Sequence, residues 1–199
     1  MKIPEFKIRT DLALEEREGL KEAAEEVSGV SFKKWEGKRS AAQITEVKVL
    51  NEHGAKALGK PMGSYLTLEA DKLLMPDEDF HSEVSDELAL LLKGLLKQKT
   101  GKNILVAGLG NQSVTPDSLG PRTVSNLCVS AEGLKAIAPG VMAQTGMETA
   151  RILLGIIKEV QPDLVIAIDA LAARSIRRLG TTIQLTDTGI HPGCGFMEI

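Results

Sequence analysis

The chain opens with about ten residues in which charged and apolar side chains mix around a proline, a pattern that predicts an extended, poorly anchored segment. From Asp11 the periodicity becomes helical. In LALEEREGLKEAAEEV, Leu12, Leu20, Ala23, Ala24 and Val27 fall on one side, with Asp11 placed to cap the helix and Gly29 to end it. Ala42 to Leu50 and Tyr65 to Ala70 alternate in character and predict strands, joined by a polar, glycine-rich connection. Glu78 to Gln98 predicts a second helix around the run LALLLKGLL.

Beyond Gly101 short apolar strands alternate with helices. Strand Ile104 to Ala107 leads through a glycine turn into a helix over 117–127. A loop holding Ala138, Pro139 and Gly140 precedes a helix over 147–160, with Ile152, Leu153, Ile156 and Ile157 on one face. Strand Leu164 to Ile168, a short helix over 170–178 and strand Thr181 to Thr186 complete the series. This order predicts an α/β fold with a mostly parallel sheet and helices on both faces. Right-handed crossovers would align the carboxyl ends of those strands on one edge.

At 199 residues the chain is long enough for one domain with a sizeable core. Aromatics make up only 3%, so aliphatic residues must fill that core. A net charge of −3 gives no basis for capturing nucleic acid, and no segment reads as a membrane span or signal peptide. The two cysteines, Cys128 and Cys194, match no metal-binding spacing and suggest a reducing compartment, so a cytoplasmic protein is expected.

Three acids stand just beyond predicted strand ends: Asp117, Asp169 and Asp187, with His191 shortly after the last. Ligands of open α/β sheets bind outside that edge. Each residue also has a purely structural role open to it. Asp117 can cap its helix with Thr115 and Pro116. Asp169 can pair with Arg174 or cap the next helix, Asp187 can support its turn, and His191 can be a hydrogen-bonded loop residue. The glycine turn GLGN is a weak dinucleotide signal, because Ser113 replaces the third glycine of the fingerprint. No GxSxG elbow is present, and nothing local points to an activated thiolate. Two neighbouring carboxylates, in contrast, hold one proton between them near neutral pH. The ionised member can deprotonate water while the neutral one polarises a scissile carbonyl. A divalent ion held by Asp117, Asp169 and His191 is the metal-assisted alternative, although no cofactor or metal is expected for the leading reading.

The blocks VAGLGNQSVTPDSLGP, APGVMAQTGMET, PDLVIAIDALAARS and IQLTDTGIHPG, together with RTDLALE near the start, resemble the germination protease family of endospore-forming bacteria. The resemblance spans about Arg9 to Gly195. It implies a cytoplasmic endopeptidase of the forespore or spore core that degrades small acid-soluble spore proteins, classed as an atypical aspartic peptidase. The family's essential aspartates fall on Asp117 and Asp169. Asn111, Thr115, Asp187 and His191 are expected to line the site. The resemblance also implies a tetrameric zymogen processed between Asp11 and Leu12, which makes 1–11 a candidate prosegment and 12–199 a single peptidase domain. A protein substrate is expected, with no direct nucleic-acid or membrane partner. The fold is further similar to the hydrogenase maturation peptidases, which share a strand, a GxGN turn and a subsequent acid. The family continues past the HPG block, so this chain is expected to be C-terminally incomplete. That leaves an inactive or partner-binding half-protein as the competing reading.

Overall fold

The computed structural model describes residues 10–21, 27–96, 101–129 and 133–190. The elements run α1 (Ala13–Lys21), β1 (Val30–Glu36), β2 (Gln43–Val49), α2 (Glu52–Leu58), β3 (Gly63–Glu69) and α3 (Glu78–Leu96). They continue with β4 (Ile104–Gly108), α4 (Leu119–Ser125), β5 (Leu134–Ile137), α5 (Met142–Thr145), α6 (Thr149–Val160), β6 (Leu164–Ile168) and β7 (Thr182–Thr186). The fold is α/β, as the pattern predicts. Its strands, however, divide between a four-stranded sheet of order β1-β2-β3-β7 and a three-stranded sheet of order β5-β4-β6. These sheets belong to two compact units. One is built from the chain up to Lys97 together with Leu171–Thr188, and the other from Gln98–Ala170 together with the residues from Gly189 onward.

The first unit is antiparallel throughout, with Val47 opposite Tyr65 and Leu66 opposite Leu185 in the register. Side chains alternate between faces, so Val47, Val49 and Tyr65 share one face and pack with Ala13 of α1 and Leu58 of α2. Leu68 points the other way, into a cluster with Ala42, Phe80 and Val84, the last two from α3. Asn51 caps α2 by accepting the Gly54 N–H at 2.9 Å, and Gly59 closes it in the left-handed region. That helix occupies the segment expected to be a plain connection. Its Asn cap and closing Gly were the available signals.

Strand β7 corrects the expectation that Thr181–Thr186 joins the parallel sheet. It pairs antiparallel with β3, and the predicted helix over 170–178 is reduced to a single 3₁₀ turn, Ile176–Arg178. The reason is local. The Arg174 and Ser175 N–H groups, which a helix would use internally, donate to the carboxylate of Glu15 at 2.6 and 2.9 Å. Arg178 completes the tie, donating to Glu15, Glu18 and Glu69 at 2.7–3.2 Å. Burial works to raise the Glu15 carboxyl. Hydrogen bonds from Thr10, the two amides and Arg178 outweigh it and hold the group below its usual range. The hydrogen bond to Glu18 keeps the Arg178 guanidinium above its usual value against burial, with Glu69 adding to the effect.

In the second unit β4 pairs parallel with β5 on one side and β6 on the other, with Ala107 opposite both Ile137 and Ala167. Ala107 and Leu109 face Leu153 of α6, while Gly108 meets Gly120 and Val124 of α4. Helices therefore cover both faces of the central strand β4, while Val165 and Ala167 leave one face of β6 exposed. The amphipathic reading of α6 holds, since Ile152, Leu153, Ile156 and Ile157 are all at least half-buried. Among the described residues no helix is long and apolar enough to cross a membrane.

Candidate active site

Strand β4 is apolar because both its faces are covered, and its exit is forced into a tight turn by two glycines. Gly110 has φ +111, and a Cβ there would collide with the Asp117 carbonyl oxygen. That close approach folds Asp117 back onto the strand end. The Asn111 N–H donates to the Asp117 carbonyl at 3.0 Å and to its Oδ2 at 2.8 Å. Asp117 therefore reaches backwards to the turn, and Ser118 takes the N-cap position of α4. The helix-cap reading of Asp117 is corrected accordingly: its carboxylate braces the strand exit, and it closes a 3₁₀ turn, Thr115–Asp117, with Pro116 inside it.

Asn111 is the organising residue of this turn. Its Oδ1 accepts from the Ser113 N–H at 3.0 Å and from Gln144 Nε2 at 2.8 Å, which ties the β4 exit to α5. Thr115 contributes through its carbonyl, which accepts from the Ser118 N–H and hydroxyl. Gln144 was not singled out from the sequence, and α5 has only 4 residues, too short for periodicity to show.

Asp169 directly follows β6 and is half-buried, with its Oδ1 accepting the Ala170 N–H at 2.8 Å. The two strand exits are joined. The Leu109 N–H donates to the Ile168 carbonyl at 2.8 Å, one step beyond the last paired residues Gly108 and Ile168. Gly120 of α4 lies across both exits, where a Cβ would collide with the Leu109 backbone and meet the Ile168 carbonyl oxygen. The structure thus brings the Asp117 turn and the residue before Asp169 to one edge of the parallel sheet, at the carboxyl ends of neighbouring strands. In this sheet type that edge is where ligands bind.

Asp187 lies in the antiparallel unit at the end of β7, and its Oδ1 accepts the Ser64 N–H at 2.8 Å. It supports the turn beside β3, as an Asx residue commonly does. Burial raises the Tyr65 phenol nearby, the Thr188 hydrogen bond lowers it, and the Asp187 charge adds to the rise. His191 lies outside the described residues, as do 1–9, Ala23, Ala24, the end of the helix after Leu96, and Cys194. Among the described residues no group of three or more His, Cys, Asp or Glu side chains is arranged to hold a metal ion.

The segment containing Asp11 and Leu12 is firmly held. The Asp11 N–H donates to the Ala172 carbonyl, and the Asp11 carboxylate accepts the Ala172 N–H, both at 2.8 Å. The Asp11 carbonyl accepts from Lys60 Nζ at 3.0 Å and Gln184 Nε2 at 3.1 Å, while the Leu12 N–H donates to Thr10 Oγ1 at 3.0 Å. The Leu12 side chain is 0% exposed.

The blocks that shape the β4 and β6 exits lie inside a longer match. A family model described as Germination protease matches residues 8–198. The chain belongs to the germination protease family. A family member named Germination protease from Caldanaerobacter subterraneus subsp. tengcongensis is 48% identical over 202 residues, covering 94% of this chain and 61% of that protein. Relatives of the same name from Oceanobacillus iheyensis and Clostridium perfringens strain ATCC 13124 are 42% and 40% identical, each over 96% of this chain. The chain spans 57% to 63% of the length of these three family members.

Proposed function

We propose that this chain is an endopeptidase that hydrolyses small acid-soluble spore proteins during germination, with Asp117 and Asp169 as its acid–base pair. One observation carries the reading: two carboxylates follow the ends of adjacent, hydrogen-bonded parallel strands, in a chain that belongs to the germination protease family. The proposed pair works with one carboxyl ionised and the other protonated. The ionised partner takes a proton from water as the water attacks the scissile carbonyl. The neutral partner hydrogen-bonds the developing oxyanion, and the proton then passes to the leaving amine. The Asn111 N–H donates to Asp117 and the Ala170 N–H to Asp169, which holds both carboxylates at the strand exits.

Incubating the purified chain with a small acid-soluble spore protein tests the reading. Cleavage is expected for the unaltered chain and loss of cleavage for both Asp117→Asn and Asp169→Asn. Undiminished cleavage by both variants removes the pair from the mechanism. Chelator-sensitive cleavage with stoichiometric bound metal would turn the reading to the metal-assisted class.

Processing between Asp11 and Leu12, tetrameric assembly and a location in the cytoplasm of the forespore or spore core belong to the same proposal. Cutting that bond requires residues 10–12 to leave Ala172, Lys60 and Gln184, which now satisfy their backbone groups. Replacing Lys60 and Gln184 by alanine is expected to speed appearance of the Leu12 N-terminus, read by intact mass. A second reading, a part that hydrolyses only when complemented, is favoured by the chain's coverage of 57% to 63% of its relatives. Activity that appears only on adding the remaining segment of such a relative would select it.

A further inference from the structure

The turn after β4 leaves two hydrogen-bonding atoms uncommitted, on residues that are themselves hydrogen-bonded. Asp117 Oδ2 accepts the Asn111 N–H at 2.8 Å, while Asp117 Oδ1 has no hydrogen-bond partner among the described residues. Gly110 leaves that oxygen uncovered, since a Cβ there would stand 2.9 Å from Asp117 Oδ1. Asn111 is divided in the same way. Its Oδ1 accepts from the Ser113 N–H at 3.0 Å and from Gln144 Nε2 at 2.8 Å. A backbone N–H can only donate, so the atom facing Ser113 is the amide oxygen and Nδ2 points elsewhere. Nδ2 has no partner among the described residues and is open to solvent.

An aspartate at this position could accept both of the bonds that Asn111 Oδ1 accepts. What asparagine adds is an uncharged NH2 donor, held in orientation by those two bonds and facing away from them. The Asn111 backbone N–H is already committed to Asp117, so the side-chain amide is the part of this residue left for a ligand. A carboxylate oxygen and a neutral amide donor, both without partners, complement a water molecule and a peptide carbonyl. We infer that Asn111 is a further catalytic residue, whose Nδ2 donates a hydrogen bond to the carbonyl oxygen of the scissile peptide bond beside Asp117. The inference rests on the peptidase reading and deepens it. As the water oxygen bonds to the carbonyl carbon, the π pair of the carbonyl moves onto its oxygen and the water proton passes to the ionised carboxylate. Nδ2 stabilises the charge gathering on that oxygen and transfers no proton itself.

Two measurements separate this inference from the reading beneath it. The first is hydrolysis by the full chain of a peptide of spore-protein sequence. Asn111→Ser removes the NH2 group, stays uncharged and keeps a hydroxyl oxygen for the Ser113 N–H. It is expected to lower kcat about a hundredfold with KM within about threefold, as loss of a transition-state donor does. Asn111→Asp retains both acceptor contacts and is expected to lower kcat at least as far; it decides the matter if the serine variant fails to fold. A folded variant with kcat within about threefold of the unaltered chain, or with a raised KM alone, overturns the role and leaves the peptidase reading standing.

The second measurement needs no turnover. A fluorescein-labelled peptide of the same sequence, with a difluoroketone in place of one peptide bond, forms a hydrate that imitates the tetrahedral intermediate. Its match, with a reduced amide there, has no oxygen to receive the bond. By anisotropy, Asn111→Ser is expected to weaken the ketone peptide at least about tenfold and to leave the reduced-amide peptide unchanged. That result supports the donor even where no hydrolysis is seen, in which case the peptidase reading alone has failed. Equal weakening of both peptides, no weakening of the ketone peptide, or no binding of it by the unaltered chain overturns the inference.

Discussion

The two units of this protein position their carboxylates by opposite means. In the antiparallel unit Glu15 is 3% exposed and is saturated by two backbone amides and Arg178, which also holds Glu18 and Glu69. Those acids share one guanidinium and serve as mechanical ties to the segment entering β7. In the parallel unit Asp117 and Asp169 are half-buried, and each accepts a backbone N–H from its own turn. Glycines bring the backbone close around them. The difference teaches that one unit uses its acids to tie distant segments together, whereas the other holds Asp117 and Asp169 within short turns at strand exits.

The sharpest way to break that comparison is to remove the charge of the braced acids. Asp117→Asn or Asp169→Asn is expected to lower peptide hydrolysis by about a thousandfold, as the proposed acid–base pair requires. The thermal midpoint should stay close to that of the unaltered chain, because the amide oxygen still accepts the turn N–H. A collapse of the fold, seen by circular dichroism, would make these acids structural like Glu15.

The complementary change is Arg178→Met. It leaves Glu15 buried without its cation and is expected to cost about 3 kcal/mol, measured by urea unfolding. Hydrogen exchange should localise the loss to α1 and β7. Uniform exchange through the parallel unit as well would contradict the division of labour.

Gly120→Ala probes the backbone approach directly, because its Cβ would meet the Leu109 backbone and the Ile168 carbonyl. A destabilisation of about 2 kcal/mol is expected for such an overpacked contact, with loss of hydrolysis as the strand exits part. A stable, fully active variant would show that the exits need no such contact.

Acid sharpens the comparison further. The folded Glu15 carboxyl lies below its ordinary value, so its contribution is full above that value and is lost as pH falls through the folded pKa. Unfolding followed from pH 7 to pH 3 should show stability falling toward the acid end, and Glu15→Gln should flatten that part of the profile. Gln144→Ala, which removes one bond to Asn111, is expected to cost at most about 1 kcal/mol and to change hydrolysis only slightly.

Much of the parallel unit was legible in the chain. The run ILVAG is apolar because both faces are covered, α6 shows its stripe, and the acids stand where the strands stop. The antiparallel unit was less legible. β1 carries adjacent lysines that break its alternation, and α2 was hidden in a polar stretch. In the parallel unit β5 escaped notice too, having only 4 residues. The segment 170–178 has helical composition, yet Glu15, some 160 residues earlier, takes the amides a helix would have used.

The sequence by itself determined the α/β class, the apolar strands and the family, because periodicity and contiguous blocks are local properties of a chain. Only tertiary structure decided that β7 leaves the parallel sheet and that Asp117 turns back onto Asn111. Each of these depends on which distant group reaches a hydrogen-bonding atom first, and no local pattern carries that information.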